Sequence, residues 1–139
     1  MTQKVHEIMT SAPVSVGPLT AVTEVARRMR DENIGAVLVT EEDEPRGLVT
    51  DRDLVVRVLA EGRAPGDTTV QEACSPGLVT VAPEDDVDRA IQLMREHALR
   101  RLPVVEDGKA VGIVALADLA MERDPSSALG DISAAAPNT

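Results

Sequence analysis

One repeat runs through this chain without a gap. Val5 and Val70, Val14 and Val79, Val16 and Val81, Pro18 and Pro83, Val22 and Val87, Met29 and Met94, Gly47 and Gly112, and Asp53 and Asp118 are each 65 positions apart. A constant offset with no insertion means that one supersecondary element is used twice. The 139 residues can hold two half-sized units, and neither buries much alone, so the copies are expected to share a core. The repeat sets the organisation as residues 1–62 for the first copy, 63–69 for a linker, 70–123 for the second copy, and 124–139 for a weakly structured tail of small residues.

Each copy reads as strand, helix, strand, strand, helix. PVSV (13–16) and LVTV (78–81) have the alternation and β-branching of short strands. Thr20 and Asp85 are residue types that cap helices, and each precedes apolar positions spaced by three and four: Val22, Val25, Ala26, Met29, then Val87, Ala90, Ile91, Met94. AVLVT (36–40) and LPVVE (102–106) read as buried strands, followed by turns at EEDEP and EDGKA. RGLVT (46–50) and AVGIV (110–114) are third strands running into second helices. The fold class expected is α/β in the α+β sense, with two β-α-β-β-α repeats packed sheet to sheet about a pseudo-twofold axis.

Composition removes several functions. A formal net charge of -10 argues against a phosphate backbone as partner, because nucleic-acid affinity comes from clustered Lys and Arg. Phe, Tyr and Trp are absent, so bases cannot be held by aromatic stacking. Cys74 is the single cysteine and has only His6 and His97 for company, which makes a poor metal site and leaves it as a small buried apolar residue. The N-terminus lacks a signal-peptide core and no stretch reaches membrane-spanning length, so a cytoplasmic protein with no membrane partner is expected. G-x-S-x-G, G-x-x-x-x-G-K-[ST] and H-E-x-x-H are absent, and neither histidine has a nucleophile nearby in sequence. No catalytic residue, metal ligand or required cofactor is assigned.

The chemistry concentrates where the third strand meets the second helix, in GLVTDRDL (47–54) and GIVALADL (112–119). A carboxylate in the first turn of a helix is an acceptor-only group, and a threonine there lies beside exposed amides at a positive helix end, so the junction offers groups that could meet a polar ligand. Thr50-Asp51-Arg52-Asp53 is equally an ordinary helix start, with Thr50 as cap and Asp53 favourable against the dipole. Arg100 and Arg101, just before a buried strand, read from the sequence as a solvated loop edge or as partners for the acidic surface; their equivalents in the first copy are Gly35 and Ala36.

The order of elements, the paired copies and the G-h-h-[ST]-x-x-D-h ending resemble a tandem of cystathionine β-synthase (CBS) domains, a Bateman module, over Val5 to about Arg123. HALRRLPVVEDGKAVGIVALADL (97–119) is especially similar to the family pattern. The resemblance implies a non-enzymatic sensor that binds an adenosine-containing ligand between the copies: AMP, ADP or ATP, with S-adenosylmethionine and NADH as the other candidates. It also implies a main cleft of Leu48, Thr50, Arg52 and Asp53 facing Val79, Leu99, Arg100, Arg101 and Pro103. A second, weaker cleft would comprise Val14, Ile34, Gly35 and Ala36 facing Ile113, Ala115 and Asp118. Because Ala115 stands where the first copy has Thr50, the main cleft is expected to be the polar one.

The helix DLVVRVLAE (53–61) places Leu54, Val55, Val56, Val58 and Leu59 around more of its surface than one core-facing stripe needs. The resemblance implies pairing of the second helices into a homodimer, with an effector protein as the further partner. The other reading open at this point is a dimeric interaction or stress-response scaffold that keeps the fold without using a ligand.

Overall fold

A computed structural model of the chain describes residues 3–74 and 77–123; the tail expected from residue 124 lies outside the described residues. In chain order the elements are a 3-10 turn (Val5–Glu7), β1 (Thr10–Ser11), β2 (Ser15–Val16), α1 (Val22–Glu32), β3 (Ala36–Glu41), β4 (Glu44–Thr50) and α2 (Asp51–Leu54), which runs directly into a π turn (Val55–Leu59). They continue with a 3-10 turn (Pro65–Asp67), α3 (Val70–Ala73), α4 (Val87–His97), β5 (Arg101–Glu106), β6 (Lys109–Ala115) and α5 (Leu116–Arg123). The class is mixed α+β, with two three-stranded sheets in the orders β2-β3-β4 and β1-β6-β5.

The chain divides into two compact units, and their borders do not coincide with those of the sequence repeats. Val14–Leu78 form the first-repeat unit; the described parts of Met1–Pro13 and Val79–Thr139 form the second-repeat unit. The segment that opens each repeat is therefore packed into the unit of the other. Val5 is fully buried with Val81, Val87, Leu102, Val104 and Val114, while Val70 and Ala73 are fully buried with Val25, Val37, Val49 and Val58. Full burial of one such valine stabilises by about 1.5–3 kcal/mol.

Backbone hydrogen bonds repeat this exchange position for position. The Val5 and His6 amides donate to the Asp85 and Pro83 carbonyls at 2.9 and 3.0 Å, and Val87 N–H donates to the Gln3 carbonyl at 2.9 Å. In the other unit Val70 and Gln71 donate to Thr20 and Pro18 at 2.8 and 3.2 Å, and Val22 donates to Thr68 at 2.9 Å. These bonds correct the expected helix caps. Ala21 and Asp86, not Thr20 and Asp85, precede α1 and α4, and neither contributes a side-chain cap. A first-turn amide of each helix is instead satisfied by distant backbone, the Thr68 carbonyl of the linker for α1 and the Gln3 carbonyl of the first repeat for α4. The Asp85 carboxylate is used one turn earlier, accepting from the Ala82 amide at 2.9 Å.

The sheets obey the hydrophobic pattern. β3 pairs antiparallel with β4 and parallel with β2, and β5 pairs antiparallel with β6. The expected strand at 78–81 is reduced to one parallel bridge between Val81 and Val104. Both hairpins turn through two residues of positive φ, Glu42-Asp43 and Asp107-Gly108, as two-residue hairpins require. α1 and α4 both end in the left-handed conformation, at Asn33 and Ala98.

The second helix of the first repeat is not one continuous α-helix. Ala60 N–H donates to the Val55 carbonyl at 2.8 Å and Arg63 N–H to the Val58 carbonyl at 3.0 Å, each spanning five residues. Leu54 and Val58 stay buried, while Val55, Val56 and Leu59 are 54%, 44% and 61% exposed. The surplus apolar face read from the sequence is present on this helix.

Candidate functional site

The motif glycines take their meaning from the exchanged segments. A Cβ on Gly112 would lie 2.6 Å from Met9 Sδ and 2.9 Å from the Thr10 carbonyl, because β1 crosses at this point with Ser11 opposite Gly112. A Cβ on Gly47 would sit 3.4 Å from Cys74 Sγ, and Cys74 is the repeat equivalent of Met9. At Gly112 the crossing segment leaves no room for a side chain, whereas at Gly47 a Cβ would make only ordinary contact with Cys74.

Four residues beyond each glycine the chain turns into a helix, and there the candidate carboxylates are fixed. Thr50 N–H donates to Asp53 Oδ2 at 2.9 Å, and Asp53 N–H donates to Thr50 Oγ1 at 3.2 Å, a reciprocal capping box. The Asp53 side chain is 13% exposed, and its Oδ1 lies 3.5 Å from Arg57 Nε. The helix-start reading of this tetrapeptide is thus realised. Asp118 repeats half of the arrangement, its Oδ2 accepting from Ala115 N–H at 2.8 Å. Burial pushes the Asp118 carboxyl above its usual range, against the opposing effect of the Ala115 amide.

The flanking candidates are grouped within units. In the first-repeat unit Ala36 is paired with Thr50, Leu48 with Leu38, Asp51 N–H donates to the Gly35 carbonyl at 3.0 Å, and Leu38 N–H to the Val14 carbonyl at 3.0 Å. Val14, Ile34, Gly35 and Ala36 thus border the same strand ends as Thr50 and Asp53, with Arg52 exposed beside them. In the second-repeat unit Arg101 is paired with Ala115 and Pro103 with Ile113, and Leu116 N–H donates to the Arg100 carbonyl at 2.8 Å. Val79 and Leu99 pack on that unit's core, and Pro103 is buried.

Charge pairing separates the basic pair from most other arginines. Arg27, Arg28, Arg30, Arg46, Arg57 and Arg63 each have a carboxylate within 4 Å. Among the described residues the side chains of Arg100 and Arg101 have no such partner, although the chain has a net charge of -10. Two unpaired guanidiniums at one sheet edge can receive an anion.

Two contributors lie outside the residues singled out by sequence. Arg57 has a sequence signal in its i,i+4 spacing to Asp53. Cys74 is marked by sequence only as a small buried residue; it lies against Gly47, and burial, with the nearby Asp53 charge, pushes its thiol up to about 11. Among the described residues no group of three His, Cys, Asp or Glu side chains could hold a metal ion.

The CBS domain model matches residues 5–60 and 70–124. The chain is 40% identical over 126 residues to the CBS domain-containing protein YhcV of Bacillus subtilis, covering 91% of this chain and 89% of that one. Among solved structures it is similar to Hypoxic Response Protein I with two coordinated zinc ions, at 32% identity and TM-score 0.78, covering 86% of this chain and 98% of that one. It is also similar to the CBS domain protein PAE2072 from Pyrobaculum aerophilum complexed with AMP, at 27% identity and TM-score 0.79, covering 87% and 93%.

Proposed function

The chain belongs to the CBS domain family, as a tandem pair, and from that premise we propose that it is a regulatory module that binds an adenine nucleotide and signals to a partner protein. The observation that carries this reading is the Asp53 carboxylate, held rigidly by the Thr50 capping box at a strand-to-helix junction. Asp53 reads the ribose diol. The aliphatic walls take the base in place of aromatic rings, and Arg100 and Arg101 take the phosphate, with the main cleft composed of Leu48, Thr50, Arg52, Asp53, Val79, Leu99, Arg100, Arg101 and Pro103. The AMP complex of a structural neighbour supports the ligand class. Nothing in this arrangement asks for a nucleophile or a general base, so the role is sensing and not catalysis.

Calorimetric titration with adenosine, AMP, ADP, ATP, S-adenosylmethionine and NADH tests the proposal. Affinity should rise from adenosine to AMP and fall with salt, because the gain is a charge-assisted contact open to solvent. Asp53→Ala should cost on the order of 2 kcal/mol of binding and Asp118→Ala less. Equal losses would remove the distinction between a main and a second cleft, and no binding of any of these ligands would reject the function.

A scaffold that does not use a ligand is the second reading, favoured by exposed Val55, Val56 and Leu59 on the π turn beyond α2. Both readings include a homodimer that covers this face. Light scattering should give twice the monomer mass at micromolar concentration; a monomer would refute the pairing.

A further inference from the structure

The carboxylate proposed to read ribose already has a cation against it. Asp53 Oδ2 is taken by the Thr50 amide, and Oδ1, the oxygen turned the other way, lies 3.5 Å from Arg57 Nε. A vicinal diol donates two hydrogen bonds and is read best by a carboxylate that offers both oxygens. Arg57 occupies one of these directions.

Arg57 also sits in the middle of the π turn Val55–Leu59, whose Val55, Val56 and Leu59 are the exposed apolar residues of this helix. A π turn is rare beside continued α-helix and is found frequently where a helix serves a function. The Asp53–Arg57 pair joins the last α-helical turn to that irregular one, so the contact beside the carboxylate also bridges into the turn.

We infer that Arg57 is an internal competitor for the Asp53 carboxylate, that a ribose diol displaces it, and that its release loosens the π turn bearing the exposed apolar face. Ligand binding is then transmitted to that surface through one ion pair. Arg57 is a positioning residue in this scheme. Its ion pair favours the ligand-free state, and its loss on binding is the signal. The inference rests on the reading of Asp53 as the ribose acceptor.

The test uses the full chain and titrates adenosine and AMP into the wild type, Arg57→Gln, Arg57→Lys, Asp53→Ala and Arg28→Gln. Arg28 pairs with Glu32 on α1, so its replacement matches the charge change away from Asp53. Arg57→Gln should tighten adenosine about threefold to fivefold, the effect of removing one partly exposed ion pair as competitor. The gain for AMP should be smaller, because a nearby positive charge is lost as well. Arg57→Lys should return toward wild type and Arg28→Gln should show no gain. In the wild type, hydrogen exchange of the Ala60 amide, bonded to the Val55 carbonyl, should speed up with AMP bound and already be fast in Arg57→Gln. If Asp53→Ala abolishes binding while Arg57→Gln leaves adenosine affinity unchanged or weaker, Arg57 does not compete and this inference fails alone. If Asp53→Ala leaves binding intact, the ribose reading fails and takes the inference with it.

Discussion

Replacing Gly112 by alanine should cost far more than the same change at Gly47, although the two occupy one position of the repeat. At Gly112 the new methyl would meet Met9 Sδ at 2.6 Å, the Thr10 carbonyl at 2.9 Å and Met9 Cγ at 3.1 Å. The methionine can rotate away. The carbonyl cannot, because Thr10 is paired with Ile113 and Ser11 with Gly112 in the β1–β6 ladder. Moving it disturbs the strand just beyond buried Val5. Forced overpacking of this kind costs about 1–3 kcal/mol, and the backbone displacement puts Gly112→Ala at the upper end. At Gly47 the methyl meets only Cys74 Sγ at 3.4 Å and Cβ at 3.5 Å, ordinary contact distances. Restricting the unfolded chain returns about 0.4–1 kcal/mol, so Gly47→Ala should be near neutral. Urea unfolding monitored by far-UV circular dichroism measures both, since the chain has no aromatic residue to report by fluorescence. Met9→Ala in the Gly112→Ala background should recover only the part due to the thioether. Equal losses at the two glycines, or full recovery by Met9→Ala, would refute the argument from the crossing strand.

Ala98→Gly should stabilise by about 0.5–1 kcal/mol in the same assay, because Ala98 ends α4 at φ 53 where glycine carries no Cβ penalty. Cys74 should alkylate slowly at pH 8 in the folded protein and faster as pH approaches its raised value of about 11. The same shift makes stability fall as pH rises from the unfolded thiol value near 9 toward about 11, since only the unfolded chain ionises there, and Cys74→Ala should flatten that slope. Asp118→Asn should gain stability relative to wild type as pH rises above the ordinary carboxylate range, because burial favours the neutral form and the amide oxygen can still accept from Ala115; pH-dependent urea midpoints check it. Leu59→Glu should leave the fold intact and convert the proposed dimer to monomer by light scattering, since Leu59 is 61% exposed.

Strands and first helices are legible in the sequence because they rest on local periodicity: β3 to β6 fall within two residues of their expected limits, and α1 and α4 start at Val22 and Val87 as the apolar spacing requires. What stays hidden is non-local. The offset that pairs Val5 with Val70 shows that the segments are equivalent, and nothing in it can show that each is buried in the unit of the other repeat. The caps are misassigned for the same reason, because Thr20 and Asp85 have the right side chains while the donors are satisfied by a distant backbone. At the site, Asp53 and Thr50 stand out because a capping box has a sequence signature. The π turn has none, and without it the Asp53–Arg57 spacing looks like any surface pair.

The exchange of opening segments bears on how such a module can act as a sensor. Met9 lies over Gly112, in the strand that ends at Ala115 just before Asp118, and Cys74 lies over Gly47, in the strand that ends at Thr50 just before Asp53. Each candidate carboxylate therefore follows a strand covered by chain from the other repeat, through the β1–β6 pairing in the second repeat and through Cys74 in the first. A ligand that tightens one junction acts on a strand that is already clamped, so little of its binding energy is lost in ordering the sheet. The freedom left to respond lies beyond the carboxylate, in the second helix. In the first repeat that helix is broken by a π turn and presents bare Val55, Val56 and Leu59, whereas the equivalent positions in the second repeat are Ala120, Met121 and Asp124. Both repeats carry chain from the other over this strand and differ in the helix beyond it, and under the proposed sensing role that difference favours the first repeat as the one that responds.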